Sequence, residues 1–185
     1  MLEVNNTTKQ KINLKKTHDL VERFLKIYKK SDYNVSLAVI GEAKMKSLND
    51  FYRGINKTTD VLSFSGINLD KKILKKKNIK DLFLGEVIIN IQETKKLSKY
   101  QEMFRSVEID INGGTINKGA ISKGKVNEAT SNRVVISNKT ISGEIYLFYF
   151  LLIHGLLHLI GYNDETEKER FIMLKLGRDF LKKML

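Results

Sequence analysis

A single domain of α+β class is what the sequence predicts, and three observations lead there. Short β-branched runs alternate with stretches of helical apolar spacing. One of those helices is apolar on nearly every side, as the central helix of a core is. A chain of 185 residues with 42% hydrophobic and 29% charged side chains suits one ordinary soluble core.

Taken in order, Leu2 to Asn6 reads as a short strand, and Thr17 to Lys29 as an amphipathic helix with Leu20, Val21, Phe24, Leu25 and Tyr28 on its apolar stripe. A strand follows at Val35 to Ile40. After Gly41, Glu42 to Tyr52 returns to helical spacing, with Met45, Leu48 and Tyr52 on one side. Val61 to Phe64 and Leu84 to Asn90 suit buried strands, and between them Asp70 to Asp81, with six lysines, reads as a solvated connection. Ile91 to Tyr100 is expected to be helical. Met103 to Ser142 changes character: Gly113-Gly114, many Asn, Ser, Thr and Lys, and the pattern at Val134 to Ile136 predict an insertion of turns, short hairpins or disorder. Glu144 to Ile160 is then a strongly apolar helix. Glu165 to Leu185 is an amphipathic one, with Phe171, Ile172, Leu174, Leu176, Phe180 and Leu181 as its apolar positions.

The 18 residues from Ile145 to Tyr162 are interrupted only by two histidines and two glycines, which raises a transmembrane span. Two imidazoles one turn apart in lipid would need partners from a second span, and the sequence offers none, so a buried core helix is the expectation. Cysteine is absent, which excludes disulfides, thiolate metal sites and a cysteine nucleophile. The first residues lack the long apolar core of a secretory signal, so the protein is expected inside the cell: cytoplasmic, or in an organellar matrix. The net charge of +12 would attract a polyanion. Lysine outnumbers arginine while proline and tryptophan are missing, a compositional bias that raises charge without any partner.

The chemistry gathers near the C-terminus. In H-G-L-L-H, His154 and His158 project from one face of a helix, four residues apart, and can grip one metal ion. Gly161 can end that helix in a left-handed conformation and turn the chain back, bringing a third ligand from just beyond. The remaining histidine, His18, sits in a presumed surface helix, so that ligand must be an oxygen donor, and Asn163, Asp164 and Glu165 compete for the position. Two histidines and one carboxylate with an open fourth position form a recognised catalytic zinc set, one that activates water near neutral pH.

These residues resemble a known family. H-G-L-L-H-L-I-G-Y-N-D from His154 to Asp164 is similar to the YbeY pattern H-G-x-L-H-L-x-G-Y-D-H. L-N-D-F-Y-R-G-I-N-K-T-T-D-V-L-S-F from Leu48 to Phe64 and L-G-E-V-I-I-N from Leu84 to Asn90 are similar to two further blocks, in the same order. The resemblance favours Asp164 as third ligand, at the position where the family has histidine. Asn163 stands for its aspartate, Glu86 for another, and Thr58 and Ser65 for prolines. A carboxylate in place of imidazole lowers the Lewis acidity of zinc and admits harder ions such as manganese.

The resemblance implies a small mixed sheet packed beside helices in the zincin-like arrangement of metal-dependent hydrolases. It implies an endonuclease for single-stranded RNA that matures the three-prime end of small-subunit rRNA, with the small ribosomal subunit as partner and a part in ribosome quality control. Arg53 matches the family arginine and is the candidate for holding the scissile phosphate, since a guanidinium fork pairs with phosphate oxygens. Its structural alternative is an ion pair with Asp60. Thr59 and Asp60 are assigned turn and hydrogen-bonding jobs, Ser63 a place facing the groove, and Tyr162 either base stacking or core packing. Lys71, Lys72, Lys75, Lys76 and Lys77 are candidates for tracking an RNA backbone, against the plainer role of a solvated loop. Two rivals remain. A zinc metalloprotease would carry glutamate after the first histidine, where Gly155 stands. A ribosome- or RNA-binding factor with a structural or degenerate metal site would accommodate the loss of the third histidine.

Overall fold

A computed structural model describes residues 1–66, 82–106, 133–136 and 139–185. Its strands are β1 (Leu2–Asn6), β2 (Tyr33–Ile40), β3 (Val61–Ser65), β4 (Leu82–Asn90), β5 (Arg133–Ile136) and β6 (Lys139–Ser142). Its helices are α1 (Leu14–Ile27), α2 (Glu42–Arg53), α3 (Gln101–Ser106), α4 (Gly143–Leu159) and α5 (Glu167–Met184). The four main strands form one mixed sheet in the order β1-β2-β4-β3. β1, β2 and β4 run parallel, and β3 returns antiparallel along β4, so the edge beside α4 belongs to β3. The predicted α+β class with a small mixed sheet beside helices is the fold observed.

Alternation decides what each face buries. Val35, Leu37, Val39, Val87 and Ile89 point into the large core, where α1 and α4 cover the sheet and α5 packs behind α4. The opposite face buries a smaller group, Ile40, Leu62 and Ile88, under Met45 of α2. Gly85 sits in β4 at φ +146, where a Cβ would collide with the carbonyl of Phe64, so glycine is required for β3 to lie this close.

α4 is buried almost all round, which explains its uniform apolarity. Among the described residues no helix is long and apolar enough to cross a membrane. α1 begins earlier than its apolar stripe because the Asn13 side chain accepts a hydrogen bond from the Lys16 amide and caps the helix at that point. α5 starts after a capping box between Thr166 and Glu169. Its stripe is Met173, Leu174, Phe180 and Leu181, whereas Phe171 and Ile172, expected on it, are exposed.

The continuous helix expected over Ile91 to Tyr100 is replaced by two 3₁₀ turns, Glu93–Lys95 and Leu97–Tyr100, ahead of α3. Local side chains compete with the helical ladder there: Asn90 Oδ1 accepts from the Gln92 amide, and the Thr94 hydroxyl donates to the Ile91 carbonyl. From the stretch predicted as an insertion, Met103 to Ser106 belong to α3, and β5 and β6 pair as an antiparallel hairpin. The remainder of that stretch and the lysine-rich Asp70 to Asp81 lie outside the described residues.

Glu93 is the buried charge of this region, with Lys96 Nζ at 2.8 Å and Lys99 Nζ at 2.7 Å. Burial pushes its carboxyl up, but the two ammonium groups outweigh burial and hold it below the ordinary 4.5. A carboxyl depressed in the folded state stabilises the fold above its unfolded value and stops doing so as pH falls through the folded one. Thermal melts should therefore show the parent losing stability more steeply than Glu93→Gln below pH 4.5. At neutral pH the variant should already be weaker by about 1 kcal/mol. Parallel pH curves would mean that Glu93 carries no such coupling.

Candidate metal centre

α4 places His154 and His158 one turn apart with their ring nitrogens turned toward each other, Nε2 to Nε2 at 3.2 Å. The helix then ends as its glycine predicted. Gly161 takes φ +98, its amide donates to the His158 carbonyl, and the Tyr162 amide donates back to the Leu157 carbonyl, a Schellman closure. The turn aims the Tyr162 carbonyl at His158 Nδ1, 2.9 Å away. With its proton on Nδ1 for that bond, His158 presents an unprotonated Nε2 to the centre. Two residues on, Asp164 comes back over the histidines, with Oδ2 at 3.5 Å from His154 Nε2 and Oδ1 at 3.9 Å from His158 Nε2. Arg170 Nη2 donates to the Asp164 carbonyl at 3.4 Å and steadies that backbone.

The three donors lie within 4.8 Å of one another. Two nitrogens sharing one tetrahedral ion at bond lengths of about 2.0–2.1 Å would stand roughly 3.3 Å apart, close to what the two imidazoles already show. Protonation agrees with a ligand set. Burial, helped by the neighbouring His154, pushes His158 down and keeps it neutral. A hydrogen bond from His154 holds the Asp164 carboxyl below its usual value and keeps it ionised; an ion ligated by His154 Nε2 would take the place of that proton. The residues fit a metal ion. Glu165 is exposed and outside the cluster, Asn163 is exposed, and His18 is exposed on α1.

The centre opens into a cavity of about 550 Å³ lined by Arg53, Thr59, Ser63, His154, His158 and Asp164 among others. Arg53 is the last residue of α2, released by Gly54 in a left-handed conformation at φ +67, and its charge reaches His158. The alternative pairing with Asp60 is not made: among the described residues no ion pair joins the two. Asp60 instead accepts from the Tyr100 hydroxyl at 2.8 Å, the Thr59 hydroxyl at 3.1 Å and the Val61 amide at 3.0 Å, a turn-building role. Ser63 lines the cavity, and its Oγ, like His154 Nδ1, is buried without a partner among the described residues. Tyr162 packs its ring against Tyr28, edge-on at 6.3 Å between centroids. The candidate RNA-tracking lysines, Lys71, Lys72, Lys75, Lys76 and Lys77, lie outside the described residues.

Gly155 has a structural cause. A Cβ there would stand 2.6 Å from Val87 Cγ1 and 3.1 Å from Ser63 Oγ, so α4 lies too close to the sheet for any larger residue. The glutamate of a metalloprotease helix has no room at this position.

Sequence reasoning missed two buried asparagines. Asn49 of α2 donates to the carbonyls of Ile55 (3.2 Å) and Lys57 (2.7 Å). Asn90 at the end of β4 donates to the Thr58 hydroxyl (3.0 Å) and the Thr59 carbonyl (3.3 Å). Together they fasten the segment between Arg53 and β3 that shapes one wall of the cavity. The signal was an amide ending an otherwise apolar strand.

A family model described as endoribonuclease YbeY matches residues 3–110 and 129–185. Similar proteins include the endoribonuclease YbeY of Leptospira interrogans, 32% identical over 84% of this chain and 89% of the relative. That of Buchnera aphidicola is 28% identical, with 95% and 84% covered, and that of Phytoplasma australiense is 27% identical, with 99% and 94% covered. A solution structure of a Thermotoga maritima protein aligns at a TM-score of 0.47 and 20% identity, over 98% of this chain and 89% of that one.

Proposed function

This chain belongs to the YbeY family of endoribonucleases, and on that premise we propose that it cleaves single-stranded RNA at a zinc centre held by His154, His158 and Asp164. The physiological substrate in this reading is the precursor of small-subunit rRNA, matured at its three-prime end on the small ribosomal subunit, in the cytoplasm or an organellar matrix and as part of ribosome quality control. Manganese is the alternative ion, because Asp164 brings a hard oxygen donor. The observation that carries the reading is the convergence of three ligand atoms in the cavity that also receives Arg53.

When bound, the ion supplies Lewis-acid polarisation of a phosphoryl oxygen and a lowered pKa for water. The chain's own groups do the rest. Arg53, at the exposed rim, holds the scissile phosphate by its planar pair of N–H donors. The segment braced by Asn49 and Asn90 keeps the wall between Arg53 and β3 in place. The Tyr162 carbonyl fixes the tautomer of His158. A protease reading has no general base on α4, because Gly155 is pressed against Val87. Family membership does not favour an RNA-binding factor with a structural ion. Lys71, Lys72, Lys75, Lys76 and Lys77 are proposed to follow the RNA backbone, a role the net charge of +12 supports. We also propose one domain with an insertion at about 103–142; the family model leaves 111–128 unmatched within that stretch.

The direct test combines metal analysis of the purified protein with a cleavage assay on single-stranded ribosomal RNA. Near-stoichiometric metal with cleavage is expected; metal without cleavage would sink the enzyme reading. Arg53→Lys should retain metal and fold but lose on the order of tenfold to a hundredfold in kcat/KM, since lysine keeps the charge and not the fork. Parent-like turnover would leave Arg53 without a part in holding the phosphate.

A further inference from the structure

We propose that Tyr52 and Phe64, extended by Phe51, form a stacking site for a nucleobase beside the cleavage centre, so that a single strand is held by a base as well as by its phosphate. This rests on the endoribonuclease reading of the neighbouring cavity. The three rings form a continuous row, with centroids 4.9 Å apart from Phe51 to Tyr52 and 4.7 Å from Tyr52 to Phe64. Two of them stand in solvent: Phe51 is 81% exposed and Tyr52 57%. A contiguous patch of exposed apolar rings marks an interaction or ligand surface, where a single exposed ring would not.

Their position says what they recognise. Tyr52 and Phe64 are the shared wall of two cavities. On one side lies the centre with Arg53 and the histidines. On the other, over the second face of the sheet, lies a hollow of about 500 Å³ in which Asn5, Lys44 and Glu86 stand among Leu48 and Ile88. A base needs a flat apolar contact for its faces and hydrogen-bonding groups for its edge, and this hollow has both. Glu86 already accepts from the Ser36 hydroxyl through Oε1 at 3.1 Å, which fixes the carboxylate and leaves Oε2 for a base N–H. Arg53 directly follows Tyr52 in the chain, so a phosphate at Arg53 and a base against Tyr52 belong to neighbouring positions of one strand. A protein docked on the same rings would cover the mouth through which the substrate must enter, so the occupant is a base of the RNA itself.

The probe is a single-stranded RNA oligonucleotide carrying 2-aminopurine, whose fluorescence falls on stacking, mixed with the metal-loaded protein by stopped flow and read before cleavage proceeds. The parent should quench it. Tyr52→Ala should lose the quench and bind about tenfold more weakly, while Tyr52→Phe keeps both. Metal content and circular dichroism of each variant separate this from unfolding. Phe51→Ala, at the most exposed ring, should bind severalfold more weakly and carries the test if Tyr52→Ala misfolds. Unchanged affinity and quench in the alanine variants, with the parent cleaving RNA, would overturn the stacking site alone and leave the rings to a protein partner. A parent that neither binds nor cleaves single-stranded RNA would overturn the endoribonuclease reading and this proposal with it.

Discussion

Replacing His154 or His158 by alanine is expected to weaken metal binding severely and to abolish RNA cleavage with it. Binding of a four-ligand zinc site runs at about 10–16 kcal/mol, so the loss of one ligand is worth about 3 kcal/mol, or roughly a hundredfold in affinity. The two variants should differ in what else they disturb. His158 also anchors the Tyr162 carbonyl at 2.9 Å, so its removal frees the turn that delivers Asp164. His154 has no partner at Nδ1 among the described residues, and its loss should leave the turn intact. Metal content by mass spectrometry and thermal melts of the metal-free proteins separate the two effects. Parent-like metal affinity in either variant, read by competition with a chelator, would refute the centre, and RNA affinity that survives in both would show that binding and chemistry are separable.

How much of this was legible beforehand depended on whether the signal was local. His154 and His158 share a helical face by spacing alone, and Gly161 announces the left-handed exit that brings the chain back. Neither fact tells which of Asn163, Asp164 and Glu165 reaches the imidazoles, because that depends on where the turn stops. The structure turns Asp164 inward and leaves its neighbours in solvent. The strands were readable from β-branched runs, yet their order, with β4 inserted between β2 and β3, is set by long-range pairing that no local pattern encodes. The helix expected from Ile91 onward failed because apolar spacing is blind to Asn90 and Thr94, whose side chains bond to the local backbone in place of the ladder. Tyr52 read as part of the apolar side of α2. The sheet's second face is only partly covered by that helix, so the ring stands at a cavity mouth instead of in a core.

Asp164→His is expected to preserve or raise cleavage, and Asp164→Ala to weaken the metal by about the hundredfold of a lost ligand. Histidine is the residue the family pattern carries here, and a neutral nitrogen donor leaves the ion more electrophilic than a charged oxygen does. Space permits the exchange: the Asp164 side chain is 39% exposed, so an imidazole can extend toward solvent while Arg170 still holds the backbone carbonyl. The donor atom must then approach both His154 and His158 from the side that Oδ1 and Oδ2 now occupy, at 3.9 and 3.5 Å. Affinity for zinc against manganese should shift with the donor, toward zinc in Asp164→His, because imidazole suits the softer ion. Competition between the two metals, read together with turnover, therefore reports on Asp164 even if the rate hardly changes. Should Asp164→Ala hold zinc as tightly as the parent and cleave as fast, Asp164 is not a ligand, and the third donor has to come from Glu165 after a small shift of the turn.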